Sequence, residues 1–161
     1  MAMYKQRLTR EQAFPKIRQY CAYQERSHKE VREKLYGYGL YKIDVENVLT
    51  QLIEDNYLDE ERFAIQFAGG KFRIKHWGKK KIEYALKEKQ VSAYCIKKAL
   101  KEIDAEDYEK TLVSLAAKKW ESLKGEQHFV RQAKARDFLL RKGYEPEKIS
   151  AVIAVLLAEK K

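Results

Sequence analysis

The stretch Val31-Arg32-Glu33-Lys34-Leu35, a break at Gly39-Leu40, and then Val45, Val48, Leu49 and Leu52 decides the fold, because the chain repeats it. It returns 51 residues later as Ile82 and Leu86, a break at Gln90-Val91, then Ile96, Ala99, Leu100 and Ile103. It returns again as Ala135 and Leu139, a break at Gly143-Tyr144, then Ile149, Val152, Ile153 and Leu156. Apolar residues four apart, followed by a second run at i, i+3, i+4 and i+7, put one stripe on each of two helices around a tight turn. A long period met three times predicts tandem helical modules. The expected fold class is all-α: a tandem array of three three-helix modules, nine helices in all, elongated and curved. The expected modules are 9–57, 58–104 and 105–161. Such arrays present long surfaces to macromolecules more often than they enclose a catalytic pocket.

Local signals place the helices. Thr9 with Gln12 makes a capping box, although Pro15 argues for a start nearer Ala13. Ser27 with Glu30 makes a second box, opening a helix that ends at Gly37 or Gly39. The third helix spans about Lys42 to Glu54. Asp59 caps a long helix to about Lys75, in which Gly69-Gly70 should weaken or kink the rod or admit a close neighbour. Helices follow from about Gly78 to Lys89 and, capped by Ser92, to Ile103. Asp104 caps the next helix, which Lys124-Gly125 ends. Phe129–Lys142 stops at Gly143, and Pro146 stands at the first position of the last helix. No stretch alternates as a strand does.

Composition fits this reading: 161 residues, 45% hydrophobic and 36% charged, with two prolines and seven glycines. No run approaches a membrane span, and no apolar segment of the signal-peptide kind follows the N-terminus. Met1-Ala2-Met3 is set aside as a start or vector remnant. Cys21 and Cys95 fall at helical apolar positions, as small buried hydrophobes in a reducing compartment would. The expectation is a cytoplasmic protein without a membrane partner.

The net charge of +10 is unevenly spread. Asp44 to Glu61 holds seven acidic residues and no basic one, whereas Arg62 to Ile82 holds seven basic residues and no acidic one. Segregation of this kind makes distinct positive and negative faces, and a positive face attracts a polyanion or an acidic protein.

Four motifs resemble one family. Arg26-Ser27-His28-Lys29-Glu30-Val31-Arg32-Glu33-Lys34-Leu35 is similar to R-S-x-x-E-[VL]-R-x-K-L. Tyr57-Leu58-Asp59-Glu60-Glu61-Arg62-Phe63-Ala64 is similar to an acidic turn, L-[DN]-D-x-R-[FY]-A. Arg73, then Trp77-Gly78-Lys79-Lys80-Lys81-Ile82 and Leu86, resembles R-x-x-x-x-G-x-x-[KR]-[IL]-x-x-x-L. Phe138-Leu139-Leu140-Arg141-Lys142-Gly143-Tyr144 resembles [FL]-L-x-R-[RK]-G-[FY]. The family is RecX, and the match runs in order over residues 13 to 157. The resemblance implies an all-helical, non-enzymatic regulator that lodges in the groove of the RecA–DNA filament. There it would bridge RecA subunits and reduce recombinase, ATPase and SOS-inducing activity. Some members also contact single- or double-stranded DNA directly. Trp77 and the triple lysine make this stretch more aromatic and more basic than the pattern requires.

The residues offer no catalytic alternative. His28, His76 and His128 lie far apart with no partner at ligand spacing, so neither a metal nor a cofactor is expected. Asp59, Glu60 and Glu61 are explained by capping and the helix dipole. No phosphate loop or nucleophile elbow is present. Tyr20, Tyr23, Tyr84, Tyr94 and Tyr108 are expected to pack rings between modules, hydroxyls at the rim.

The candidate binding residues are therefore basic. Lys71, Arg73, Lys75, Lys79, Lys80 and Lys81 crowd six cations into eleven positions, interleaved with Phe72 and Trp77. A solvated lysine face is the ordinary account of such a run. Against it, Lys79, Lys80 and Lys81 open a helix and oppose its dipole, a placement that points to an anionic partner. Arg131, Lys134, Arg136, Arg141 and Lys142 could extend the strip. A second reading, a helix-turn-helix protein acting on DNA without RecA, suits the helix lengths but not the chemistry. Its recognition helix from Asp44 is acidic, and its counterparts lack base-reading Arg, Asn or Gln. The protein is expected to be a monomer.

Overall fold

The computed structural model describes residues 7–159, so Met1-Ala2-Met3 lies outside them. Nine helices, and no strand, occur among the described residues: α1 Arg10–Tyr23, α2 His28–Gly37, α3 Lys42–Glu54, α4 Glu60–Lys75, α5 Lys79–Glu88, α6 Ala93–Lys101, α7 Ala105–Ser122, α8 His128–Lys142 and α9 Pro146–Ala158.

The repeat in the sequence is a repeat in the backbone. α2, α5 and α8 each end on a left-handed residue: Gly39 at φ +88°, Gln90 at +60° and Gly143 at +101°. The next residue then closes the turn. The N–H groups of Leu40, Val91 and Tyr144 donate to the carbonyls of Leu35, Leu86 and Leu139 at 3.4, 3.1 and 3.2 Å. This is a Schellman closure, in which the residue after the left-handed one folds its apolar side chain back onto the helix. All six of those apolar residues are buried. Gln90 holds without a glycine a conformation that costs an ordinary residue about 1–2 kcal/mol.

Caps decide the helix starts. Both capping boxes form, at Thr9 with Gln12 and at Ser27 with Glu30. Asp59 accepts the Arg62 N–H at 2.8 Å, and Asp104 accepts that of Asp107 at 2.9 Å. α1 starts at Arg10 rather than near Ala13, with Pro15 inside it. Pro15 forfeits one bond to the Glu11 carbonyl, but the capping box and the burial of Ala13 and Ile17 hold the first turn. α4 runs unbroken through Gly69-Gly70. The close neighbour at Gly69 is the helix's own Arg73, whose guanidinium folds back to 2.6 Å from where a Cβ would stand.

Contacts divide the chain into two units, residues 1–66 with 86–98 and residues 67–85 with 99–161. The first is built on Ala13, Ile17 and Cys21 of α1, Val31 and Leu35 of α2, and Val45, Val48, Leu49 and Leu52 of α3. Burial pushes the Cys21 thiol up to about 11, so it behaves as a hydrophobe, and Cys95 is also free and buried. In the second unit α7, α8 and α9 pack on one another. The rings of Phe72, Tyr108 and Tyr144 stack in series there, with centroids 5.7 and 5.2 Å apart.

The tyrosines depart from expectation. Tyr108 is buried and Tyr20 half-buried, but Tyr23, Tyr84 and Tyr94 point into solvent at 83, 65 and 70% exposure. A half-polar ring fits a surface as well as a core, so residue type alone did not separate these positions. Among the described residues no helix is long and apolar enough to cross a membrane.

Candidate functional site

The basic segment spans the end of α4, the connection at His76-Trp77-Gly78 and the first turn of α5. His76 adopts φ +59° and ends α4, and its N–H bonds to the Phe72 carbonyl at 2.9 Å. Phe72 faces inward as expected and is buried, while Arg73 and Lys75 remain exposed.

Two glycines hold the segment in place. Gly78 and Gly143 meet backbone to backbone: a Cβ on Gly78 would lie 2.3 Å from the Gly143 carbonyl carbon. The contact lets the Gly78 N–H reach the Lys142 carbonyl at 2.7 Å and the Lys80 N–H reach that of Gly143 at 2.9 Å. The Lys79 N–H bonds to the Tyr108 hydroxyl at 2.9 Å, and that hydroxyl donates to the Glu145 carboxylate. Burial first, and then this hydrogen bond to Glu145, push the Tyr108 phenol far above its ordinary value. The Tyr144 hydroxyl donates to the His76 carbonyl at 2.9 Å, and burial likewise raises its phenol.

This geometry corrects the reasoning about the triple lysine. A helix start offers free N–H groups and partial positive charge. Here three of those N–H groups are taken, two by the carbonyl end of α8 and one by a tyrosine. The electronegative partner that the sequence demanded at this helix start is the C-terminus of another helix. The ammonium groups themselves stay available.

They also gather. The Lys71 and Lys81 Nζ atoms lie 5.0 and 4.6 Å from the ring of half-buried Trp77, and the Trp77 N–H donates to the Lys71 carbonyl at 3.3 Å. The Lys79 Nζ sits 4.9 Å from the Tyr108 ring, and the Lys142 Nζ donates to the Lys75 carbonyl at 3.2 Å. None of Lys71, Arg73, Lys75, Lys79, Lys80, Lys81 and Lys142 takes part in an ion pair among the described residues. Seven cations without an ion pair, two of them on the Trp77 ring, form a patch of positive charge.

The rest of the α8 cluster is spent locally. Arg131 stacks on Trp120 at 4.0 Å and donates twice to its carbonyl. Lys134 pairs with Glu126 at 2.7 Å, and Arg141 with Asp137 at 3.0 Å. Arg136 lies about 120° around α8 from Lys142 and donates to Ser150 Oγ at 3.0 Å. Only Lys142 joins the segment from Lys71 to Lys81.

Sequence reasoning missed the supports of this patch, Tyr108, Tyr144 and the Gly78–Gly143 contact. The one signal available was a glycine set directly before three lysines.

Comparison with known proteins agrees with the four motifs. Residues 59–100 match the sequence model of the RecX second three-helix domain, and residues 106–153 that of the third. A Regulatory protein RecX from Prosthecochloris aestuarii is 32% identical over 138 residues, covering 86% of this chain and 89% of that one. One from Clostridium perfringens strain 13 is 32% identical over 130 residues, covering 80% of this chain and 60% of the relative's own length. The crystal structure of RecX from Lactobacillus salivarius superposes with a TM-score of 0.83 at 22% identity, covering 91% of this chain and 96% of that chain. The repeat, the motifs and these matches together place the chain in the RecX family.

Proposed function

We propose that the chain is a non-enzymatic, cytoplasmic regulator that binds the RecA–DNA filament in its groove, bridges neighbouring RecA subunits and inhibits recombinase, ATPase and SOS co-protease activity. The three modules 9–57, 58–104 and 105–161 act as successive contact points. Individually weak contacts then add through high effective concentration. A bridge of this kind favours one inter-subunit geometry over those needed for turnover and strand exchange.

The observation that carries this reading is the unpaired basic patch from Lys71 to Lys81 with Lys142, in a chain of this family. Surface cations usually sit among carboxylates, and six lysines and an arginine without such a partner gain most when a polyanion or an acidic protein surface arrives. Against helix-turn-helix action stands α3, whose seven-acid neighbourhood repels DNA.

The test replaces Lys79, Lys80 and Lys81 with Gln, which keeps helix propensity, and measures co-sedimentation with RecA–ssDNA filaments. Filament binding should weaken while folding is unharmed. Where the lysines meet phosphates, the slope of log affinity against log salt should flatten by up to about 0.7 per lost contact. Unchanged filament affinity would refute the assignment. Point variants serve better than a truncation at Ala105, because residues 67–85 are packed with 99–161 and a truncation would strip their partners.

A further inference from the structure

Two devices by which proteins hold nucleic acid are already occupied inside the basic patch. The first is a helix start, whose free N–H groups take phosphate oxygens. At α5 the N–H groups of Gly78, Lys79 and Lys80 bond to Lys142, Tyr108 and Gly143. That of Lys81 is closed off, because its nitrogen lies 2.6 Å from where a Cβ on Gly143 would stand. The second device is an open aromatic ring on which a base stacks. The half-buried Trp77 ring carries the ammonium groups of Lys71 and Lys81, and the half-buried Phe67 ring carries Lys71 again at 5.5 Å. A base arriving at either ring would displace the cations that its own phosphate needs.

What the patch offers in their place is an apolar side chain. Ile74 stands two residues beyond buried Phe72, on the far side of α4, and is 75% exposed. Lys71 lies one turn before it, Arg73 and Lys75 adjoin it, and Gly70, at i−4, brings no side chain to cover it. Solvent-facing helix positions favour Lys, Arg, Gln or Glu, because a β-branched residue loses rotamer freedom there. A single exposed isoleucine is ordinary on a protein surface. This one lies among Lys71, Arg73 and Lys75, which form no ion pair among the described residues. Of the carboxylates that border the patch, Glu145 already accepts the Tyr108 hydroxyl and Glu83 is itself engaged. An apolar group set among cations gives a phosphate nothing, but it has the layout of a protein interface, an apolar centre inside a polar rim.

We infer that the patch from Lys71 to Lys81 receives protein rather than nucleic acid: an apolar side chain seats on Ile74, and carboxylates beside it meet the surrounding ammonium and guanidinium groups. The inference rests on the filament reading and names the component of the filament that the patch touches, a carboxylate-bearing face of RecA. Charge complementarity sets the sign of the occupant, and Ile74 with the closed helix start sets its class.

Ile74→Lys separates the two occupants by sign. It adds a cation at an exposed position, suits a helix and leaves every other cation in place. Against a protein face it should weaken binding to RecA–ssDNA filaments about fivefold or more, because an ammonium replaces the apolar contact. Against phosphates it should tighten binding, since an added cation releases a further counterion. Ile74→Gln removes the apolar group without adding charge and should weaken filament binding as well. The melting temperature should hold or rise in both variants, and affinity for bare ssDNA should not fall in either. Tighter filament binding by Ile74→Lys overturns the inference and gives the patch to nucleic acid. Wild-type filament affinity in both variants overturns it too and leaves the RecA reading standing. A wild-type chain that does not sediment with filaments refutes the RecA reading and this inference with it.

Discussion

Replacing Gly78 with Ala tests whether the basic patch is built on a glycine contact. The new Cβ would stand 2.3 Å from the Gly143 carbonyl carbon and 2.4 Å from both its oxygen and the Tyr144 nitrogen. All three are backbone atoms, so no side chain can swing aside. Reaching ordinary contact at 3.4 Å requires a separation of about one ångström. The bonds from Gly78 to Lys142 and from Lys80 to Gly143, now 2.7 and 2.9 Å, would then pass out of hydrogen-bond range. Two lost bonds with desolvated partners cost roughly 1–3 kcal/mol each, or about 2–6 kcal/mol together. Gly70 is the internal control, because nothing lies within 4 Å of its Cβ site and it sits inside α4. Gly70→Ala should therefore stabilise by about 0.5–1 kcal/mol. Urea unfolding followed by helical circular dichroism reads both, and filament binding should fall in Gly78→Ala alone as Lys79, Lys80 and Lys81 shift. If Gly78→Ala unfolded at the wild-type midpoint, the glycine contact would not be what holds α5 to the end of α8.

Further expectations follow from the same packing. Leu35→Ala, Leu86→Ala and Leu139→Ala each empty a fully buried site and should cost roughly 2–5 kcal/mol in chemical unfolding. Trp77→Ala should lower the melting temperature, since two lysines already engage its ring; an unchanged melting temperature with lost DNA binding would place the indole on bases instead. His28 has a buried Nε2 with no partner among the described residues, and its Nδ1 is 3.7 Å from Glu60. Burial lowers its pKa from 6.5, so the folded chain holds this proton less well than the unfolded one. The stability it contributes is complete above about pH 6.5 and is lost as pH falls through the lowered value. A melting-temperature profile should flatten over that range in His28→Gln, and identical profiles would count against burial as the cause.

What was legible in the sequence was what the backbone enforces. Capping boxes, left-handed stops and a stripe at helical spacing each have one structural solution, so the ends of α2 and α3 and the three breaks fell where the residues put them. Pro15 misled because a single lost bond was weighed without the capping box that offsets it. The exposed tyrosines were illegible because amphipathic rings carry no inside-or-outside signal. The triple lysine was half legible. Its charge was plain, but the carbonyls that satisfy its helix start come from residues more than sixty positions away, which no local pattern reports.

Trp77 shows why an aromatic residue in a basic stretch needs the repeat to interpret it. In α1 the Tyr20 carbonyl accepts from Arg26 Nε at 3.0 Å, while the guanidinium covers the Tyr20 ring at 3.7 Å. At the end of α7 the Trp120 carbonyl accepts from Arg131, whose guanidinium covers the Trp120 ring at 4.0 Å. Counting back from Leu35 and Leu86, Tyr20 aligns with Lys71 and Arg26 with Trp77. There the cation is on the helix and the ring follows it, and the Lys71 carbonyl accepts from the Trp77 backbone N–H at 3.3 Å rather than from a side chain. A cation lying on a ring thus recurs near the ends of α1, α4 and α7, and at the end of α4 it is Lys71 and Lys81 that lie on the indole. Trp77 follows the helix end that carries Lys71 and precedes the one that carries Lys81, so a ring at this place in the repeat draws cations from both sides of the connection into the basic patch.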